Sequence, residues 1–189
     1  MLELIIQGRG GQGAQTAGSL LAMAFYAAGK QVQAFATYGG ARRGTPVSSF
    51  IRVDDQPIRR RCDIETPDAI LCFDTHLLDQ RLLQGAVPTT PIVVNSTHGD
   101  DQFRQLGNYT IYPVDAFRVA RDNDLGRFIN SALLGAFTSV LGAPDIEIVC
   151  RTIRAAAPVK ARENEQACRD GYGLMQQLLQ PQDAPGVAL

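Results

Sequence analysis

Tryptophan is absent from the sequence, and aromatic residues of all kinds make up only 7% of it, so no aromatic platform offers itself for stacking bases. An excess of one charge is also missing: 18 Lys and Arg against 19 Asp and Glu leave a net charge of −1, which provides no overall field for nucleic acid or an anionic membrane. Long apolar runs are lacking. The longest, Leu20 to Ala28, falls far short of the ~20 residues that span a bilayer. No basic n-region precedes Glu3, which argues against a secretory signal. A soluble, cytoplasmic protein is expected. The four cysteines, Cys62, Cys72, Cys150 and Cys168, include no C-x-x-C pair and no zinc or iron–sulfur spacing, so they read as reduced structural thiols.

What remains is an ordinary globular balance, 45% hydrophobic and 20% charged over 189 residues, enough for one domain with a full core. Leu2 to Gln7 is a short apolar run ending in glycines, which predicts a buried strand. Gln12 to Ala28 is rich in Ala and Leu and stops at Gly29, which predicts a helix. Gln31 to Tyr38 alternates as a second strand, and a strand–helix–strand unit of this size implies parallel strands. "VSSFIRV" and "QPIRRR" around Asp54-Asp55 read as an antiparallel hairpin. Strand character returns at Ala69 to Asp74, Ile92 to Thr97 and Tyr109 to Val114, with helical "HLLDQRLLQG" after the first of these. From Asp115 the chain reads as helices broken at Gly126, at 142–144 and at Pro158. The expected fold is an α/β, three-layer α/β/α domain on a mixed, mostly parallel sheet with a helical C-terminal third. It spans 1–182, with 183–189 as a tail.

Gly8-Arg9-Gly10-Gly11-Gln12-Gly13 satisfies G-x-G-x-x-G. Glycines let the backbone turn tightly against a ligand, and the N-terminal end of the following helix favours an anion such as phosphate. NAD requires an acid about 20 residues on, at the end of the second strand, and "QVQAFATYGG" has none. NADP stays open through Arg42 and Arg43. The segment from Tyr38 to Arg61 holds six arginines, Arg42, Arg43, Arg52, Arg59, Arg60 and Arg61, and the guanidinium fork suits phosphate and carboxylate. Gly39, Gly40, Gly44 and Pro46 make a structured turn around the first two. With the second strand parallel to the first, this turn and the glycine loop share the carboxyl edge of the sheet, where α/β folds bind ligands. Arg59 to Arg61 read as a solvated run.

His76 and His98 sit in polar surroundings without a triad or metal pattern and read as surface residues. Asp74 reads as a helix N-cap, and Asn130 and Asn164 as helical residues with structural hydrogen bonds. Ser48 and Ser49 have no base nearby. No nucleophile, general base or metal site emerges, so no catalytic residue is assigned.

"GRGGQGAQTAGSLLAMAFYAAGK" followed by "YGGARRGTPVSSFIRVDDQPIR", with "NSALLGAFTSVLG" and "VKARENEQACRDGYGL" later, resembles the gamma subunit of 2-oxoacid:acceptor oxidoreductases over nearly the whole chain. "RRGTPVSSFIRVDD" is most similar to the pyruvate:ferredoxin branch, although "YGGARRG" stands where such relatives carry Gly-Pro-Glu before the arginines. The resemblance implies a Rossmann-like, non-catalytic subunit of a complex that oxidises pyruvate, forms acyl-coenzyme A and reduces ferredoxin or flavodoxin. It implies alpha, beta and delta-type partner subunits holding thiamine diphosphate, Mg2+ and [4Fe-4S] clusters, none bound by this chain. Gly8, Arg9, Gly10, Gly11, Gln12, Gly13, Arg42, Arg43 and Gly44 would then hold coenzyme A phosphates. A free-standing NADP-binding oxidoreductase and a purely assembling subunit are the alternatives.

Overall fold

The computed structural model describes residues 1–40 and 44–180. The sheet begins with β1 (Leu2–Arg9), whose Leu4, Ile5 and Ile6 are buried on both faces, as a continuous apolar run in a central strand requires. Helix α1 (Ala14–Ala27) follows, then β2 (Gln31–Tyr38), β3 (Pro46–Asp54), β4 (Ala69–Cys72), β5 (Pro91–Asn95) and β6 (Thr110–Val114). The six strands lie in the order β2-β3-β1-β4-β5-β6. β1, β4, β5 and β6 pair parallel, while β3 runs antiparallel to both β1 and β2. β2 therefore points the same way as β1 with β3 inserted between them, and the loops after both strands leave from the same carboxyl edge.

The expected hairpin is placed differently from the sequence reading. β3 pairs back onto β2, from Gln31↔Asp54 to Tyr38↔Val47, and Gln56 to Arg61 forms no strand. Pro57 removes a ladder donor there, and Arg52 holds the chain just beyond by donating to the Cys62 and Asp63 carbonyl oxygens at 2.8 and 3.2 Å. The helical stretch after β4 is also shorter than its pattern. Asp74 caps a 3-10 turn (Thr75–Leu77) and Asp79 caps the four-residue α2 (Gln80–Leu83), so two capping carboxylates restart the chain within one turn of each other.

The C-terminal third is helical, as its punctuation predicts: α3 (Ala116–Asp122), α4 (Asn130–Leu141), α5 (Ile146–Ala156) and α6 (Ala161–Leu179). These helices and α1 cover one face of the sheet in a single apolar cluster that includes Leu4, Leu21, Ile51, Leu133, Phe137 and Met175. The other face buries Ile5, Phe50, Ile70, Ile92 and Phe103 under short elements only: the 3-10 turn, α2 and a 3-10 segment at Asp100–Leu106. α4 and α6 approach so closely that a Cβ on Gly135 would stand 1.8 Å from the Cys168 carbonyl oxygen, and one on Gly171 would stand 2.1 Å from that of Ala132. β2 is an edge strand of eight uncharged residues, and no described strand pairs on its outer side. Among the described residues no helix is long and apolar enough to cross a membrane. The expected tail at 183–189 lies outside the described residues.

Candidate functional site

The glycine loop connects β1 to α1. Gln12 N–H closes a turn onto the Arg9 carbonyl at 2.9 Å, while its side-chain Oε1 accepts from Arg9 N–H at 2.7 Å, so Gln12 braces the loop. Gly11 and Gly13 have φ of +97° and +91°, a left-handed backbone that other residues adopt only under strain. Gly8 is still part of β1 and serves packing: a Cβ there would lie 2.7 Å from that of Ala14.

The two loops of the carboxyl edge meet. Gly10 N–H donates to the Thr45 carbonyl at 2.9 Å, and Gly44 N–H donates to the Gly10 carbonyl at 3.2 Å. Arg9 spans the junction, with Nε donating to Asp74 Oδ2 at 2.7 Å and Nη1 to the Gly44 carbonyl at 3.2 Å. Burial alone raises the pKa of Asp74, but the Arg9 guanidinium and His76 N–H more than offset it and hold the carboxyl below its ordinary 3.8. Asp74 is thus both the expected cap, accepting from His76 N–H at 3.0 Å, and a strut of the loop. Arg42 and Arg43 lie outside the described residues.

A cavity of about 430 Å³ opens above the loop, lined by Arg9 through Thr16 together with Tyr38, Val47, Phe128 and Asn130. Two helix N-termini converge on it. Gly13 begins α1, Asn130 begins α4, and a Cβ on Gly13 would touch that of Asn130 at 3.5 Å. Neither helix has a side-chain cap or an acid in its first turn, and Gly11 and Gly13 N–H make no hydrogen bond among the described residues. By contrast, α2, α3 and α5 are each capped by an aspartate. Unsatisfied N–H groups beside the positive ends of two helices give this mouth the chemistry that suits an anion.

Sequence reasoning missed three of the residues at this mouth. Tyr38 and Phe128 are 55% and 61% exposed, and they place two ring faces at the mouth despite the low aromatic content of the chain. Tyr38 stands at the end of β2, where a ribose-binding acid would stand in a dinucleotide fold, and that position was the available signal. Asn130 opens α4 and Phe128 lies two residues before it, and no local pattern links either to the glycine loop. Asn164 is structural, as expected, with Oδ1 accepting from Ser131 Oγ at 2.7 Å. His76 is exposed, with Nδ1 3.1 Å from Asp74 Oδ1, and His98 is exposed as well.

Residues 3–174 match the family pattern described as pyruvate ferredoxin/flavodoxin oxidoreductase. Pyruvate synthase subunit PorC of Methanothermobacter thermautotrophicus is 37% identical over 180 residues, covering 94% of this chain and 98% of that one. The pyruvate/ketoisovalerate oxidoreductases common subunit gamma of Pyrococcus furiosus is 35% identical over 178 residues, covering 91% and 96%. Among solved structures, the pyruvate oxidoreductase subunit PORC of Thermotoga maritima superposes with a TM-score of 0.80 at 32% identity, covering 91% and 95% of the two chains.

Proposed function

The chain belongs to the pyruvate ferredoxin/flavodoxin oxidoreductase family, as the gamma-type subunit of a multi-subunit 2-oxoacid oxidoreductase, and from that premise we propose that its glycine-loop mouth holds the nucleotide end of coenzyme A for an enzyme acting on pyruvate. The free-standing NADP reading gives way to that of a subunit. The observation that carries the proposal is the convergence of two uncapped helix N-termini on the glycine loop.

The residues present fit such a ligand. The N–H groups of Gly11 and Gly13 and the first turns of α1 and α4 would receive the diphosphate, with Arg42 and Arg43 adding charge from the neighbouring loop. Tyr38 and Phe128 offer ring faces to the adenine, and the Asn130 amide offers hydrogen bonds beside it. Arg9, held by Asp74, keeps the two loops together. All of these act by position. Anchoring the nucleotide end at one edge of this subunit turns delivery of the thiol to the partner subunits into a local search. Thiamine diphosphate with Mg2+ and iron–sulfur clusters in the partner subunits supply the decarboxylation and the electron path to ferredoxin or flavodoxin. Substrate choice lies with those partners too, consistent with the Pyrococcus relative being named a common subunit of pyruvate and ketoisovalerate enzymes.

The test is steady-state kinetics of the assembled complex carrying Gly13→Ala, or Arg42→Ala with Arg43→Ala. The expected result is a KM for coenzyme A raised about ten-fold with KM for pyruvate unchanged, the mark of lost ground-state binding. Variants that assemble poorly yet keep the wild-type KM for coenzyme A would move the loop to a purely assembling role.

A further inference from the structure

Every local preference at position 160 argues against lysine. The residue is the N-cap of α6 and has a φ of +53°, a backbone suited to glycine or asparagine. Helix N-caps favour Ser, Thr, Asp, Asn or Gly, and an ammonium beside the positive end of a helix is unfavourable. What opposes these preferences is the reach of the side chain. Lys160 Nζ donates to the Asp124 carbonyl oxygen, in the loop between α3 and α4. Asp124, at a φ of +55°, and Lys160 are the two left-handed residues other than glycine among the described residues, and this one contact joins them. Beside it, Asn164 Nδ2 donates to the Lys160 carbonyl at 2.9 Å while its Oδ1 accepts from Ser131 Oγ. Ser131 is 1% exposed and lies in the first turn of α4. The start of α6 therefore grips the segment 125–130 at both ends, through Asp124 before it and Ser131 after it.

That segment forms one wall of the glycine-loop mouth. Leu125 and Ile129 are its buried anchors, and Phe128 N–H closes a turn onto the Leu125 carbonyl at 3.2 Å. Between the anchors Gly126, Arg127 and Phe128 are exposed, with the Arg127 guanidinium 5.9 Å from the Phe128 ring centroid. Phe128 and Asn130 line the cavity, and Lys160, Asn164 and Ser131 do not. Left-handed residues other than glycine persist where the surrounding structure over-determines them, and they gather around binding sites.

We infer that Lys160 is a positioning residue for the mouth: together with Asn164 it clasps the start of α6 onto both ends of the 125–130 segment, and so fixes where Phe128 and Asn130 stand against a bound ligand. Lys160 acts only through these two. The inference rests on the coenzyme A reading for the identity of the ligand, and the clasp itself is independent of it.

The chain has no tryptophan, so Phe128→Trp places a single reporter at the mouth. In the full-length F128W chain, K160G removes the ammonium and gives position 160 the residue its backbone favours. The melting temperature is therefore expected to stay within about 2 °C of F128W. Tryptophan anisotropy is expected to fall and acrylamide quenching to rise about two-fold, and K160R, which keeps a cationic donor, is expected to restore both. In the assembled complex with Phe128 intact, K160G is expected to raise KM for coenzyme A about five-fold with kcat and KM for pyruvate unchanged. Unaltered anisotropy and quenching in F128W/K160G would overturn the inference. So would a wild-type KM for coenzyme A in K160G beside a raised one in Gly13→Ala. If K160G loosens the tryptophan while neither K160G nor Gly13→Ala alters KM for coenzyme A, the clasp stands and the coenzyme A reading falls.

Discussion

Arg52 and Glu3 face each other across the β1–β3 ladder, and Arg52 Nε donates to Glu3 Oε1 over 2.6 Å. Arg52 is 1% exposed, and its remaining donors reach Gln33 Oε1 and the Cys62 and Asp63 carbonyls. One guanidinium thus closes β1, β2 and β3 together and anchors the segment at Cys62 and Asp63. Arg52→Met is expected to cost about 3 kcal/mol, because it leaves a largely buried carboxylate with only the exposed Arg60 guanidinium, 3.6 Å away, to compensate it. E3Q/R52M is expected to recover part of that loss. Arg52→Lys restores little, since an ammonium does not reproduce the fork. Urea denaturation of the three variants decides the matter.

The α4–α6 contact gives a second, contrasting pair. Gly135→Ala and Gly171→Ala each drive a methyl into a backbone carbonyl, which has no side chain to move aside, and a loss of about 3 kcal/mol is expected from each. Gly173, on the same helix α6, has nothing within 4 Å of its would-be Cβ. Gly173→Ala is therefore expected to stabilise the protein by about 0.5–1 kcal/mol through helix propensity. Thermal melts of the three proteins should move in opposite directions.

Asp74 makes the glycine loop sensitive to acid. Its carboxyl is held below 3.8 in the folded protein, so its contribution is fully present above about pH 4 and is lost as pH falls towards the depressed folded value. With Arg9 partly exposed, the contribution is about 1 kcal/mol. Asp74→Asn should lower the melting temperature at neutral pH, and its curve should converge on that of wild type in acid. A constant gap down to the acid limit would show that Asp74 stabilises the loop by some means other than its charge.

The thiols should sort by burial. Cys62 is exposed, and Cys72, Cys150 and Cys168 are buried. Burial pushes the Cys72 thiol up to about 12, which leaves almost no thiolate near neutral pH. A thiol titration of the native protein at pH 8 is expected to show one fast group, with the other three reacting on denaturation.

Much of the fold was legible because punctuation and period agree. β1 and β2 were bounded by their glycines, and the C-terminal helices by Gly126, Gly142 and Pro158. The hairpin was misassigned because β3 alternates equally well whichever neighbour it pairs with. Its choice of β2 depends on Arg52, whose acceptors lie at residues 3, 33, 62 and 63. The glycine loop was legible because all its parts are local. Tyr38, Phe128 and Asn130 were not, since their meeting depends on how α4 packs, and an exposed aromatic carries no period to mark it. Arg52 was counted in a charged segment, although its burial makes it a structural pin.

The outer side of β2 bears on how the protein must be made. Eight uncharged residues without proline, at the edge of the sheet, present a template that any similar strand can join, and nothing in the strand discourages a copy of itself. A chain released ahead of the subunits it serves leaves that edge open to pairing with other strands. Overproduction of the chain alone is accordingly expected to lose more protein to aggregation than balanced co-expression with those subunits.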